Sequence, residues 1–258
     1  MTGKQTRLEH IRSAVMTAGS MTINELADRL GVAGMTIRRD LADIAGADGF
    51  VLVRGTLFHT GKQVSGSGHP YSSITAKTEH ADQKTRIARA ALALLEPADS
   101  IIIDAGSTTE YFVTMIPAEL ELSVFCFSLN ILMGLLEKRN ARIMLTGGLY
   151  HNSSMMFESR EAIKLLRNSR SKKAFISASG VNLKLGITCS DDFESELKRT
   201  AIQSAQERIL LVDSSKFGKV QTGFFAEVND FERIITDDGA PPEIVDAIRD
   251  LGVRVDVV

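Results

Sequence analysis

Two cysteines, Cys126 and Cys189, are all that this chain of 258 residues contains. They lie far apart among apolar or small residues. Neither a disulfide framework nor paired zinc-ligand spacing is available, and a reducing cytoplasm is the expected compartment. No metal or cofactor is expected. Positive charge is not in excess: 30 Lys and Arg against 32 Asp and Glu leave a net charge of -2. That balance excludes a general coater of nucleic acid, but not a reader that needs only a local basic patch. No run approaches the ~18 apolar residues of a membrane span, so no membrane partner is expected. An apolar signal segment, repeats and extended low-complexity tracts are not expected either. What is present is a hydrophobic fraction of 44%, enough for one large domain or a small one plus a medium one.

The most informative stretch is residues 22–44, TINELADRLGVAGMTIRRDLADI. Ile23, Leu26, Ala27 and Leu30 recur at helical spacing, and Met35, Ile37, Leu41 and Ile44 fall on or near one face of a second helix. Gly31 is a natural stop for the first, because glycine reaches positive φ without a Cβ clash. Two helices around a short Gly-containing turn form a helix-turn-helix. Thr36, Arg38 and Arg39 occupy the first turn of the second helix, where side chains entering a major groove meet base edges and phosphates. Arginine suits both targets, with a planar fork for guanine and a fixed charge for phosphate.

The core Thr36-Ile37-Arg38-Arg39-Asp40-Leu41 resembles the signature of the DeoR family of bacterial transcription regulators. One departure is Ala33, where members of that family usually carry a serine that caps the recognition helix; alanine has no side-chain oxygen to do so.

Before this stretch, Leu8, Ile11, Ala14, Val15 and Ala18 give a first helix over about residues 6–18, ended by Gly19. After it, residues 50–53 and 56–58 flank Arg54-Gly55 and read as a hairpin, hence a wing, with Arg54 placed to reach a minor-groove phosphate. Residues 61–74, rich in Gly and Ser, read as a linker. Beyond a long helix around residues 84–95, strand-like runs at 100–103, 123–127, 142–145, 173–176, 208–212, 232–236 and 253–258 alternate with helical patterns. Those patterns cover 109–115, 130–137, 160–166, 193–206 and 243–251. Such alternation predicts an α/β domain with a largely parallel sheet buried on both faces. The expected organisation is a winged helix-turn-helix domain over 1–60, a linker over 61–74 and an α/β domain over 75–258.

In open α/β sheets, ligands collect at the carboxyl ends of the strands. The turn Asp104-Ala105-Gly106-Ser107-Thr108-Thr109 follows an Ile run and precedes a helix, so free N–H groups and three hydroxyls make an anion cradle there. Three further turns sit at equivalent ends: Thr146-Gly147-Gly148, Ser177-Ala178-Ser179-Gly180 and Asp213-Ser214-Ser215-Lys216-Phe217-Gly218. Lys216 offers a compact positive charge to a phosphate, and Asp104 and Asp213 can accept sugar hydroxyls. These four turns, the Glu196-Leu197-Lys198-Arg199 helix segment and Ser128-Leu129-Asn130 are similar to the sensor domain of the DeoR family. The resemblance implies a fold like that of sugar-phosphate isomerases and a phosphorylated sugar as effector, with deoxyribose 5-phosphate the specific hint. It places Asp104, Gly106, Ser107, Thr108, Thr109, Asn130, Gly147, Gly148, Ser179, Gly180, Asp213 and Lys216 toward that effector.

The expectation is a repressor of sugar or nucleoside catabolism genes, not an enzyme, that binds double-stranded operator DNA as a homo-oligomer and is released by a phosphorylated sugar. The competing reading is a sugar-phosphate isomerase-like enzyme with an accessory DNA-binding domain, using Asp104, Glu194, Glu196 and Lys216 for proton transfer.

Overall fold

The computed structural model describes residues 3–18, 20–42, 44, 50–53, 55–59 and 79–258. The chain divides into two compact units, Met1–His69 and Pro70–Val258. Gly19, Arg54 and the 61–74 linker lie outside the described residues.

The first unit comprises α1 (Gly3–Ala18), β1 (Ser20–Thr22), α2 (Ile23–Leu30), α3 (Gly34–Ala42), β2 (Phe50–Val53) and β3 (Thr56–His59). The start of α2 is set by a reciprocal cap: Thr22 Oγ1 accepts from the Glu25 N–H at 3.2 Å while the Glu25 carboxylate accepts from the Thr22 N–H at 2.7 Å. Its end is set by Gly31, at φ 64°. Ile11, Val15, Leu26, Ile37, Leu41 and Ile44 are fully buried in one cluster. Met35 does not join them and is 60% exposed. Two residues along a helix turn about 200°, so Met35 and Ile37 face opposite ways. The wing is larger than a hairpin, because β1 adds antiparallel to β3 to give the order β1-β3-β2.

The second unit is a three-layer α/β domain. Its sheet has seven parallel strands, β4 (Asp99–Ile103), β5 (Leu122–Cys126), β6 (Ala141–Leu145), β9 (Ser171–Ser177), β12 (Ala205–Leu211), β14 (Arg233–Thr236) and β15 (Arg254–Val257), in the order β15-β14-β12-β9-β4-β5-β6. Alternate residues feed two separate cores. Ile102, Ala174, Ile176 and Leu210 pack beneath α7 (Arg160–Arg167), α8 (Asp192–Gln203) and α9 (Pro242–Asp250). Ile101, Ile103, Phe175 and Ile209 pack beneath α4 (Ala81–Leu92), α5 (Ser107–Met115) and α6 (Leu129–Leu135). Two additions have no counterpart in the sequence reading. One is an antiparallel hairpin of β7 (Leu149–His151) and β8 (Met156–Glu158); the other is a small sheet of β10 (Gly180–Asn182), β11 (Gly186–Cys189) and β13 (Gly223–Ala226).

The strand order sets where a crevice opens. The chain runs outward from β4 through β5 to β6, then returns to the other side of β4 as β9 and runs outward the opposite way. Chains leaving β4 and β9 therefore diverge, opening a crevice at the carboxyl ends of these two neighbours. Among the described residues, no helix is long and apolar enough to cross a membrane.

Candidate functional site

On the first unit, Arg38 and Arg39 are exposed on α3, Thr36 is half-buried, and Ile37 and Leu41 face the core. The intervening Asp40 is buried and accepts from both arms of Arg7, Nε at 2.5 Å and Nη2 at 3.1 Å. This fork pins α3 to α1. The cap position at Ala33 is supported by its backbone alone, its carbonyl accepting from the Thr36 N–H at 2.8 Å.

On the second unit, a small cleft opens between the ends of β4 and β9. Gly106 sits at its mouth with φ 155°, and a Cβ there would lie 2.3 Å from Ser177 Oγ. Only glycine permits this approach of the two strand ends. From Gly106 the chain turns into α5, whose first residues Ser107 and Thr108 line the cleft with no side-chain cap on the helix. The first N–H groups of that helix carry its positive end. Thr109 does not point at the cleft; its hydroxyl donates to the Asp104 and Gly106 carbonyls at 2.8 and 3.0 Å and locks the turn.

Asp104 lies beneath the cleft, fully buried. Its Oδ2 accepts from the Ser177 N–H and hydroxyl, both at 2.9 Å, and from Lys198 Nζ at 2.5 Å. Lys198, on α8, also donates to the Ser177 carbonyl at 3.2 Å, stands 3.7 Å from Glu194 Oε2 and lies 5.4 Å from the Phe225 ring centre. Burial works against its charge, but Asp104 and Glu194 outweigh burial and hold the ammonium above its ordinary range. Glu194 is pushed the other way. Burial lifts its carboxyl to about 7, with Lys198 opposing and Asp104 and Asp191 adding to the rise. Across the cleft, Lys216 closes a 3-10 turn begun by Asp213. Its Nζ stands 4.0 Å from Asp213 Oδ2. Burial raises the Asp213 carboxyl, yet Lys216, Ser215 and Lys84 together bring it below the usual range.

The β7–β8 hairpin brings Ser154 to the same cleft. It is clipped to the start of α8, where the His151 ring stacks on Phe193 at 3.6 Å and Ser153 Oγ donates to Asp191 Oδ2 at 3.3 Å, while within the hairpin His151 Nε2 meets Glu158 Oε2 at 2.7 Å. Buried polar atoms without a hydrogen-bond partner gather at this end of the sheet: Asp104 Oδ1, Ser128 Oγ, Asn130 Oδ1, Thr146 Oγ1, Ser154 Oγ and Glu194 Oε1. Buried polar groups are ordinarily paired, and of these six residues Ser154 and Glu194 line the cleft.

Thus Gly106, Ser107, Thr108, Ser179 and Lys216 come together on the cleft wall, with Asp104 under the floor. Asn130 braces the turn, its Nδ2 donating to the Gly106 carbonyl at 3.3 Å. Gly148 packs against β8, where a Cβ would meet the Glu158 carbonyl at 2.1 Å, and Gly180 packs against Lys219. Gly147, Gly148, Gly180 and Asp213 are not on the cleft wall. The cleft lining also includes Lys198 and Ser154, which the sequence does not single out for it, and Glu194, which the sequence offers only as a proton-transfer group. The i,i+4 spacing of Glu194 and Lys198 was the available signal.

Residues 7–56 match the DeoR-like helix-turn-helix domain, and residues 79–238 match the DeoR C-terminal sensor domain. Over 236 residues the chain is 31% identical to the deoxyribose operon repressor of Escherichia coli K12, covering 92% of this chain and 91% of that one. It is 26% identical over 261 residues to a putative aga operon transcriptional repressor of Escherichia coli O157:H7, covering 100% and 95%. Among solved structures, ribose 5-phosphate isomerase A of Methanocaldococcus jannaschii aligns at a TM-score of 0.40 and 18% identity, over 54% of this chain and 55% of the enzyme.

Proposed function

We propose a division of labour from one premise: the chain belongs to the DeoR family of DNA-binding transcriptional repressors. The first unit reads operator DNA. Arg38 and Arg39, exposed on a helix whose buried face is fixed by Asp40 and Arg7, enter the major groove with Thr36, and Arg54 of the wing reaches the backbone. Two half-sites need two heads, so the working form is a homo-oligomer. We place the DNA-binding domain at 1–60, the linker at 61–74 and the effector domain at 75–258.

The cleft of the second unit holds a phosphorylated sugar. Its phosphate lies at the start of α5, on the N–H groups of Ser107 and Thr108, with Lys216 as counter-charge. Its hydroxyls meet the polar cluster around Glu194 and Ser154. The observation that carries this reading is the convergence of an uncapped helix start, a lysine and unpartnered buried oxygens at one topological switch point. Deoxyribose 5-phosphate is the first compound to test, because the Escherichia coli relative is named for the deoxyribose operon. The ligand lowers DNA affinity by preferring the arrangement of the protein in which the heads do not fit the operator.

The test is operator binding by the full chain, on duplexes selected from a random pool, with and without a panel of sugar phosphates. Loss of binding with at least one of them supports the reading; indifference to all of them removes it. The Glu194–Lys198 pair favours one rival, an isomerase-like activity in the same cleft. Turnover of ribose 5-phosphate separates the two, and none is expected.

A further inference from the structure

Among the described residues Glu194 is the one acid on the cleft wall, 5% exposed, and its Oε1 has no hydrogen-bond partner. On the sugar-phosphate reading, the ligand brings a negative charge of its own into the same small space. The two charges repel unless the acid is neutral, and a neutral carboxyl becomes a donor where the ionised one can only accept. The neighbours do not supply that donor's partner. On its own helix, Lys198 Nζ is committed to Asp104 and the Ser177 carbonyl, and stands 3.7 Å from the other oxygen, Oε2. Asp104, just after β4, and Asp191, just before α8, both favour the neutral form. Cys189 of β11 is a buried thiol, pushed up to about 11 by burial. Lys216 stands on the opposite wall. His151 of the hairpin, stacked on Phe193, is engaged with Glu158.

We propose that Glu194 is a specificity-determining residue of the cleft: as a neutral acid it donates a hydrogen bond to a hydroxyl or carbonyl oxygen of the bound sugar phosphate, so the ligand enters together with one proton. This rests on the sugar-phosphate reading of the cleft. Burial holds the Glu194 carboxyl half-protonated near neutral pH. Binding therefore takes up about half a proton at pH 7 and weakens as pH rises, while a phosphate monoester, whose second ionisation lies near 6, is already about nine-tenths dianionic at pH 7 and adds little dependence of its own.

The experiment is calorimetric titration of the full chain with 2-deoxyribose 5-phosphate and ribose 5-phosphate, in two buffers of different ionisation heat, from pH 7 to pH 9. The expected result is net proton uptake and an affinity that falls roughly 50-fold across that range, the fall in the neutral fraction of an acid half-protonated near pH 7. Glu194→Gln keeps a donor and cannot titrate, so its affinity stays level from pH 7 to pH 9 with no proton taken up. Wild-type binding that is pH-independent and buffer-independent overturns the proposal while leaving the sugar-phosphate site standing. Absence of binding by either compound at every pH overturns the site and the proposal together. The wild-type measurement is decisive without the variant, should Glu194→Gln fold poorly.

Discussion

Replacing Lys198 by methionine tests the buried network directly. The substitution keeps the aliphatic stem and the Phe225 contact but removes the ammonium 2.5 Å from Asp104 Oδ2. Asp104 then stays fully buried with only the two Ser177 donors. At an effective dielectric constant of about 20, the lost attraction is roughly 6–7 kcal/mol before desolvation is counted. The net cost of stripping one partner from a buried ion pair is about 3–5 kcal/mol, much of it the burden of an uncompensated charge. Tyrosine fluorescence reports the sensor unit selectively, because the chain has no tryptophan and its 3 tyrosines, Tyr71, Tyr111 and Tyr150, all fall beyond residue 69. In urea, Lys198→Met should lose about 3–5 kcal/mol, and adding Asp104→Asn should restore a large part of it, since the stranded charge is gone. A loss below about 1 kcal/mol in the single variant, or a double variant worse than the sum, would refute the claim that Lys198 holds the floor of the cleft together.

Three other outcomes follow from the geometry. Arg38→Ala or Arg39→Ala should weaken operator binding by roughly 10- to 100-fold if each contacts a base, with an unchanged circular dichroism spectrum because both are exposed; fluorescence anisotropy on labelled operator reads it. Gly106→Ala should lower the melting temperature of the sensor unit, by strain of about 1–3 kcal/mol, and abolish its response to ligand, because the new Cβ would displace Ser177 from Asp104. Glu194→Gln should raise stability at pH 8 but not at pH 5. The fold lifts the Glu194 carboxyl from 4.5 to about 7, so the native state binds that proton more tightly and loses stability as pH rises through this window, by up to about 3 kcal/mol. Urea midpoints of wild type and variant at the two pH values measure the difference.

The head and the parallel sheet were legible in the sequence because their signals are local. The carboxyl halves of β4, β9 and β12 (residues 101–103, 174–176 and 209–211) are buried on both faces and so read as short apolar runs. The turn at Gly106 was legible for the same reason: a strand, a glycine and two hydroxyl residues opening a helix are contiguous. The hairpin over the cleft and the sheet of β10, β11 and β13 were not, since strands of three or four residues carry too few alternations to show a period. The Asp104–Lys198 pair spans 94 residues, and only the chain reversal from β6 back to β9 brings its partners together. The split within the candidate residues has a similar origin. Gly148 and Gly180 are required by close backbone approach, and a glycine in a strand-end turn looks the same in sequence whether a ligand or another strand lies against it.

The most direct test of the central claim is the affinity of the full chain for its selected operator, measured by anisotropy in the presence of saturating deoxyribose 5-phosphate and related sugar phosphates, for wild type and for Lys216→Ala. The account predicts that at least one compound releases wild-type protein from DNA, while Lys216→Ala binds the operator equally well and is not released. Wild-type binding untouched by every compound, or a Lys216→Ala protein that fails to bind DNA, would contradict it.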